Sequence, residues 1–155
     1  MCIVIDPPAL IPMFKNGDIE HRKFLPVWKW IVDGPGKIII GGKQYKKELL
    51  DVVSVIQFVK ELERRGKVIK KNDADVDRDV ERIKKIEPCK DFDDPHLVAL
   101  VNLSGCKLIC IRDPRAHRFL RNQKFYENAK LRPRLYTRAK NSHLLCKDNI
   151  APCCK

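Results

Sequence analysis

The stretch Asp93-Asp94-Pro95-His96-Leu97-Val98-Ala99-Leu100-Val101-Asn102-Leu103-Ser104-Gly105-Cys106-Lys107-Leu108-Ile109-Cys110-Ile111-Arg112-Asp113-Pro114 decides the fold of this 155-residue chain. An aspartate followed by proline is a common helix start, because the side chain can cap and proline tolerates the first helical position. The spacing predicts a helix over 94–104 that stops at Gly105. Leu97, Val98, Leu100, Val101 and Leu103 leave it almost no polar face, so it should be buried. Residues 106–111 then read as the next strand, which ends at Arg112-Asp113-Pro114.

The same pattern recurs toward the N-terminus. Cys2-Ile3-Val4-Ile5 is a short β-branched run, a strand buried on both faces, halted by Asp6-Pro7-Pro8. A helix is predicted over 19–32 from Phe24, Val27, Trp28 and Ile31, ended by Asp33-Gly34-Pro35-Gly36. Lys37 to Ile40 is a second strand closed by Gly41-Gly42. One long amphipathic helix over 43–65 follows, through Tyr45, Leu49, Val52, Val53, Ile56, Val59 and Leu62, with Gly66 as its stop. Residues 67–70 form a third strand, Asp73–Ile86 a polar helix with Val76, Val80 and Ile83 as its seam, 114–122 a short helix, and 135–137 a candidate last strand.

Strands alternating with helices at this spacing specify βαβ units. The expected fold class is α/β, three layers, with a central, mostly parallel sheet of about five strands flanked by helices. Residues 1–122 are expected to form the domain, and 123–155 a basic C-terminal extension able to complete the sheet.

The 32 Lys+Arg against 20 Asp+Glu leave a formal charge of +12, which favours a polyanionic partner over a neutral small molecule. Residues 115–155 hold 11 basic and 2 acidic side chains, leaving 21 and 18 in the nearly balanced body. No apolar run is long enough to cross a bilayer, and the first apolar segment lacks the basic start of a signal peptide, so a cytoplasmic protein without membrane association is expected. The seven cysteines are odd in number and irregularly spaced, which fits free thiols better than a disulfide framework.

In parallel sheets ligands bind outside the carboxyl ends of the strands. Asp6 and Asp113 end predicted strands there, Asp94 opens the buried helix, and Glu48 lies in the first turns of the helix after the second strand, about 70° from the centre of its apolar face. Each acid alone has an ordinary explanation: the three aspartates as caps before proline, Glu48 as a surface residue. Four carboxylates converging on one edge repel one another unless a cation neutralises them, and a hard divalent ion with oxygen ligands is the natural solution.

Those residues carry a resemblance. Cys2-Ile3-Val4-Ile5-Asp6, Tyr45-Lys46-Lys47-Glu48-Leu49, the run Asp93-Asp94-Pro95-His96-Leu97-Val98-Ala99-Leu100-Val101 and Leu108-Ile109-Cys110-Ile111-Arg112-Asp113 resemble, in order, the four motifs of the PIN domain nucleases, over residues 1 to about 120. The resemblance implies a PIN-like domain whose acids hold one or two Mg2+ or Mn2+ ions for phosphodiester hydrolysis, usually of RNA, leaving a 5′-phosphate and a 3′-hydroxyl. Carried over, Asp6, Glu48, Asp94 and Asp113 are the catalytic, metal-binding set. Asp93 and Asp91 stand as alternatives at the third position, and Ile111 replaces the Thr or Ser many members have two residues before the last acid.

Lys43, Arg112, Arg115 and Arg118 are the candidate nucleic-acid-binding residues, being close to the acids in sequence. The expected function is a metal-dependent endoribonuclease of the toxin or defence-effector type. RNA is its expected partner, with DNA as an open alternative, and an inhibitory protein or a second copy as open assemblies. The alternative is a non-catalytic PIN-like module that binds nucleic acid or a protein partner.

Weaker signals are set aside. Asp73-x-Asp75-x-Asp77 lacks the Gly and Glu of a calcium loop, with Arg78 and Lys84 in their positions. His143, Cys146, Cys153 and Cys154 have no paired C-x-x-C and read as incidental residues of a tail rather than a zinc site. His96 and His117 flank the acids, and His96 reads as structural. Trp28 fits the core seam, whereas Trp30 is a candidate contact surface. In 130–140 basic residues interleave with Tyr136, as in an arm tracking a phosphate backbone.

Overall fold

The computed structural model describes residues 1–14, 19–149 and 151–154. Its strands are β1 (Cys2–Ile5), β2 (Lys37–Ile40), β3 (Val68–Lys70), β4 (Leu108–Cys110) and β5 (Arg134–Tyr136). Its helices are α1 (Pro7–Leu10), α2 (His21–Val32), α3 (Lys43–Leu50), α4 (Val53–Arg64), α5 (Asp73–Ile86), α6 (Pro95–Ser104) and α7 (His117–Leu120), with 3-10 turns between Pro114 and the C-terminus.

Among the described residues the five strands form one all-parallel sheet in the order β3-β2-β1-β4-β5. Helices flank the sheet in a three-layer α/β fold, as the alternation of elements requires. β1 is central and its apolar run is wholly buried, matching the absence of polar alternation in its sequence. The chain steps from β1 to β2 and β3 in one direction and then returns to β4 and β5 in the other. The switch point therefore lies between the carboxyl ends of β1 and β4, where a ligand crevice is expected in such sheets.

α6 lies against β1 and β2 and packs on α5, and all but two of its residues are buried. Gly105 ends it in the left-handed region at φ 66°. β5 comes from the segment set apart on charge. It pairs Leu108 with Arg134 and Cys110 with Tyr136, so that segment supplies an edge of the sheet. The Tyr136 hydroxyl donates to the carbonyl of Lys23 in α2 at 3.1 Å.

Four expectations are corrected. The single helix over 43–65 is two helices: Val52 is extended (φ −133°, ψ 108°), and the break rephases the seam. Val55, Val59 and Leu62 are buried, and Val53 is 68% exposed. Two adjacent β-branched residues give the helix little local support there, and tertiary packing overrides the periodicity. Tyr136 is fully buried in β5 rather than offered to bases. Trp30 packs on the core rather than forming an open surface, with its ring over Gly36, where a Cβ would sit 2.4 Å from Cε3. Cys2 and Cys154 form a disulfide across 152 residues, whereas Cys89, Cys106, Cys110, Cys146 and Cys153 are free. No spacing signals a bridge of that span, because only the tertiary fold brings the 3-10 turn Pro152–Cys154 to the start of β1.

Candidate functional site

Asp6 continues β1 into the switch point. Its backbone N–H donates to the carbonyl of Cys110 at 2.9 Å, and its own carbonyl accepts from Ala9 at 2.8 Å. Its side chain makes no cap to α1 and is 3% exposed. Burial first, and then the charges of Asp94, Glu48 and Asp113, together push the Asp6 carboxyl up to about 8. A backbone hydrogen bond from Arg112 opposes them.

Glu48 is brought in by α3. Tyr45, three residues earlier on the same helix face, is fully buried and donates its hydroxyl to the carbonyl of Ile5 at 2.7 Å, which fastens α3 to the end of β1. Gln44 Nε2 reaches Glu48 Oε1 at 3.2 Å and the carbonyl of Asp93 at 2.8 Å, tying the helix to the loop before α6. Burial raises the Glu48 pKa, the Gln44 hydrogen bond lowers it, and among the acids that raise it Asp94 acts most strongly. His96 Nε2 is 3.5 Å from Glu48 Oε2. Burial drives the His96 pKa down to about 4, so the ring is neutral at neutral pH and the contact is not an ion pair.

Asp94 precedes α6 without capping it by its side chain. Burial, then Asp93 and Asp113, push its pKa up to about 6. Phe92 holds this loop by stacking on Phe119 and Phe125, at centroid distances of 4.7 and 5.3 Å. Asp113 does act as a cap: its carboxylate accepts from the Arg115 backbone N–H at 2.8 Å. The Arg115 guanidinium also grips it, at 2.9 Å from Nε and 2.7 Å from the second nitrogen, and holds its pKa below the usual carboxylate value.

Asp6, Asp93, Asp94, Arg112 and Asp113 line a cleft of about 400 Å3. Beside it a second cleft of about 510 Å3 shares Asp93 and Pro114 and is lined by Lys90, Asp91, Arg115 and Arg118. Arg112 Nε pairs with Glu20 at 2.5 Å, and Arg118 pairs with Asp91 at 3.3 Å while lying over the Phe119 ring. Lys43 lines neither cleft. Its ammonium is 3.9 Å from Asp77, and its side chain is 89% exposed.

The four predicted acids are thus electrostatic neighbours at one end of the sheet. Two of them, Asp6 and Asp94, are freed from the capping role their sequence allowed, and Asp113 is not. Their oxygens do not close into a tight cage. Among the described residues the only three metal-ligating side chains with donor atoms all within 4.8 Å of one another are Cys2, Cys153 and Cys154. The acid set still fits a hydrated hard cation, because burial and neighbouring acids raise the pKa values of Asp6 and Asp94, among the described residues no basic side chain forms an ion pair with either, and magnesium keeps several waters. Gln44 was missed in the sequence and Tyr45 was read only as part of the seam and the motif, although their spacing from Glu48, four and three residues, is the signal that points to a positioning role.

No family model, curated protein or solved structure matches the chain.

Proposed function

We propose that the protein is a divalent-metal-dependent endoribonuclease of the PIN-like kind, with Asp6, Glu48, Asp94 and Asp113 around the metal. The observation that carries this reading is Asp6. It is a buried carboxylate at the topological switch point that caps nothing, and the charges acting on it are those of three more acids. An arrangement that costs stability in the absence of a cation is characteristic of a functional site.

Bound Mg2+ or Mn2+ would supply Lewis-acid stabilisation of the phosphodiester and activation of a water. The chain's own residues provide the rest. Asp6 and Asp94 offer carboxylates once deprotonated. Gln44 orients Glu48, and neutral His96 adds no competing positive charge behind it. Lys90, Arg115 and Arg118 form the neighbouring track for phosphates, and Arg121, Lys124, Arg132, Arg134, Arg138 and Lys140 are exposed on the segment that follows.

The test is cleavage of a labelled RNA by the purified chain with Mg2+ or Mn2+. Asp6→Asn and Asp94→Asn should each lower the rate by at least about 100-fold while the fold survives, because several kcal/mol of transition-state stabilisation is removed. Undiminished cleavage by Asp94→Asn would refute the assignment. The competing reading, a binding module without chemistry, is favoured by Asp113 serving as a cap. It predicts RNA binding that needs no metal and no manganese affinity dependent on Asp6.

A further inference from the structure

We propose that, when reduced, Cys2, Cys153 and Cys154 form a thiolate site for one thiophilic metal ion, zinc(II), which fastens the C-terminal segment to the first strand. The site stands at the amino end of β1, opposite the acid cleft, and does not depend on the proposed nuclease activity.

The geometry comes from two non-bonded distances. Cys153 Sγ lies 3.8 Å from Cys2 Sγ and 3.6 Å from Cys154 Sγ. A tetrahedral ion with metal–sulfur bonds of about 2.3 Å needs sulfurs about 3.8 Å apart. The third pair, Cys2 and Cys154, is disulfide-bonded and would separate on reduction. Cys2 is buried in β1, whereas Cys153 and Cys154 are partly open in a 3-10 turn, so two ligands lie on an adaptable segment and one is fixed by the sheet. Because Cys153 and Cys154 are partly open, the fourth position is left to water.

The charge environment suits thiolates. Lys37 is the β2 register partner of Cys2 and leaves the sheet on the same face. Three thiolates with zinc(II) carry a net charge of −1, which this ammonium offsets. Cys106 hydrogen-bonds its thiol to the carbonyls of Cys2 and Leu108 at 3.4 and 3.3 Å and stays outside the set. His143 and Cys146 are engaged elsewhere, with Lys140 and Asn149, so the ligands missing from the tail come from the other end of the chain.

The chemistry balances. A dithiol reductant gives two electrons and two protons to the Cys2–Cys154 disulfide and becomes a disulfide itself. Zinc then displaces the protons of the three thiols. The oxidised and metal-bound forms exclude each other.

The full-length chain, reduced and then freed of reductant without oxygen, is titrated with Zn2+ against a chromophoric chelator. One zinc per chain is expected for the reduced wild type, Cys89→Ser and Asp94→Asn, and none for the disulfide form. Cys153→Ser should bind more than about 100-fold more weakly, beyond the loss that changes outside the ligand shell produce. Cobalt(II) bound to the reduced wild type should show sulfur-to-metal charge-transfer absorption, a readout that needs no variant. Absence of that absorption, or zinc uptake kept in Cys153→Ser and lost in Asp94→Asn, would overturn the proposal. A failed nuclease assay would leave it standing.

Discussion

Nε2 of His96 lies 3.5 Å from Oε2 of Glu48, with the histidine wholly buried and neutral. Because its folded pKa is about 4 against 6.5 for the free ring, the unfolded chain binds the extra proton. The stability this gives is present above pH 6.5 and is lost as pH falls through 4. Urea unfolding of the wild type and His96→Gln should diverge in that window, the wild type losing about 3 kcal/mol more between pH 7 and pH 4. Parallel pH profiles would show that the ring is already protonated or solvated.

Asp6 has the opposite sign. Its folded pKa of about 8 is above the ordinary 3.8, so the metal-free fold is fully stable with respect to this group below pH 3.8 and loses stability as pH rises through 8. In EDTA at pH 9, Asp6→Asn should be more stable than the wild type by several kcal/mol, at about 1.4 kcal/mol for each pKa unit. Equal stability of the two proteins at pH 9 would mean that Asp6 is not buried as a lone acid.

Metal binding at the acid cleft must displace those protons. Manganese affinity should therefore rise about tenfold per pH unit between pH 6 and pH 8, the interval bounded by Asp94 and Asp6, and flatten above it. A calorimetric titration series across that range checks this, and a pH-independent affinity counts against Asp6 as a ligand.

Arg115 links the cap at Asp113 to the basic cleft. Arg115→Ala should leave thermal unfolding almost unchanged, since the pair is exposed. It should weaken single-stranded RNA binding at all sequences and reduce the slope of log affinity against log salt by about 0.7, one phosphate contact. An unaltered slope would place the phosphate track elsewhere.

Gly42 stands where β2 turns into the helix that carries Glu48. Its φ is 83°, its N–H donates to Asp73 at 2.9 Å, and a Cβ there would meet Val76 Cγ1 at 2.5 Å. Gly42→Ala should cost about 2 kcal/mol through the left-handed backbone and the clash, measured by chemical denaturation.

The fold was legible because its signals are local. Cys2–Ile5 has no polar alternation, so it had to be buried on both faces, 106–111 is a second short apolar run broken only by Lys107, and Gly41, Gly66 and Gly105 punctuate the helices between them. Asp6 and Asp113 were legible as residues that follow strands, and Asp94 and Glu48 as residues at helix starts. Whether an aspartate before proline caps a helix was not, because both outcomes share one sequence. Asp113 caps and Asp6 does not, and the difference is that Arg115 can reach Asp113 while Asp6 is enclosed. The break at Val52 was hidden because apolar spacing runs through it.

The sequence by itself determined the parallel α/β order, the four carboxylates at its carboxyl edge and the basic last quarter, since each depends on spacing along the chain. Only the tertiary structure decided which carboxylates are buried and uncapped. It alone buried Tyr136 completely within the strand the sequence had offered as a candidate, and brought Cys2 to Cys153 and Cys154 from the far end of the chain. Those outcomes depend on which distant segments share a strand edge, and residue spacing carries no information about contacts across 150 residues.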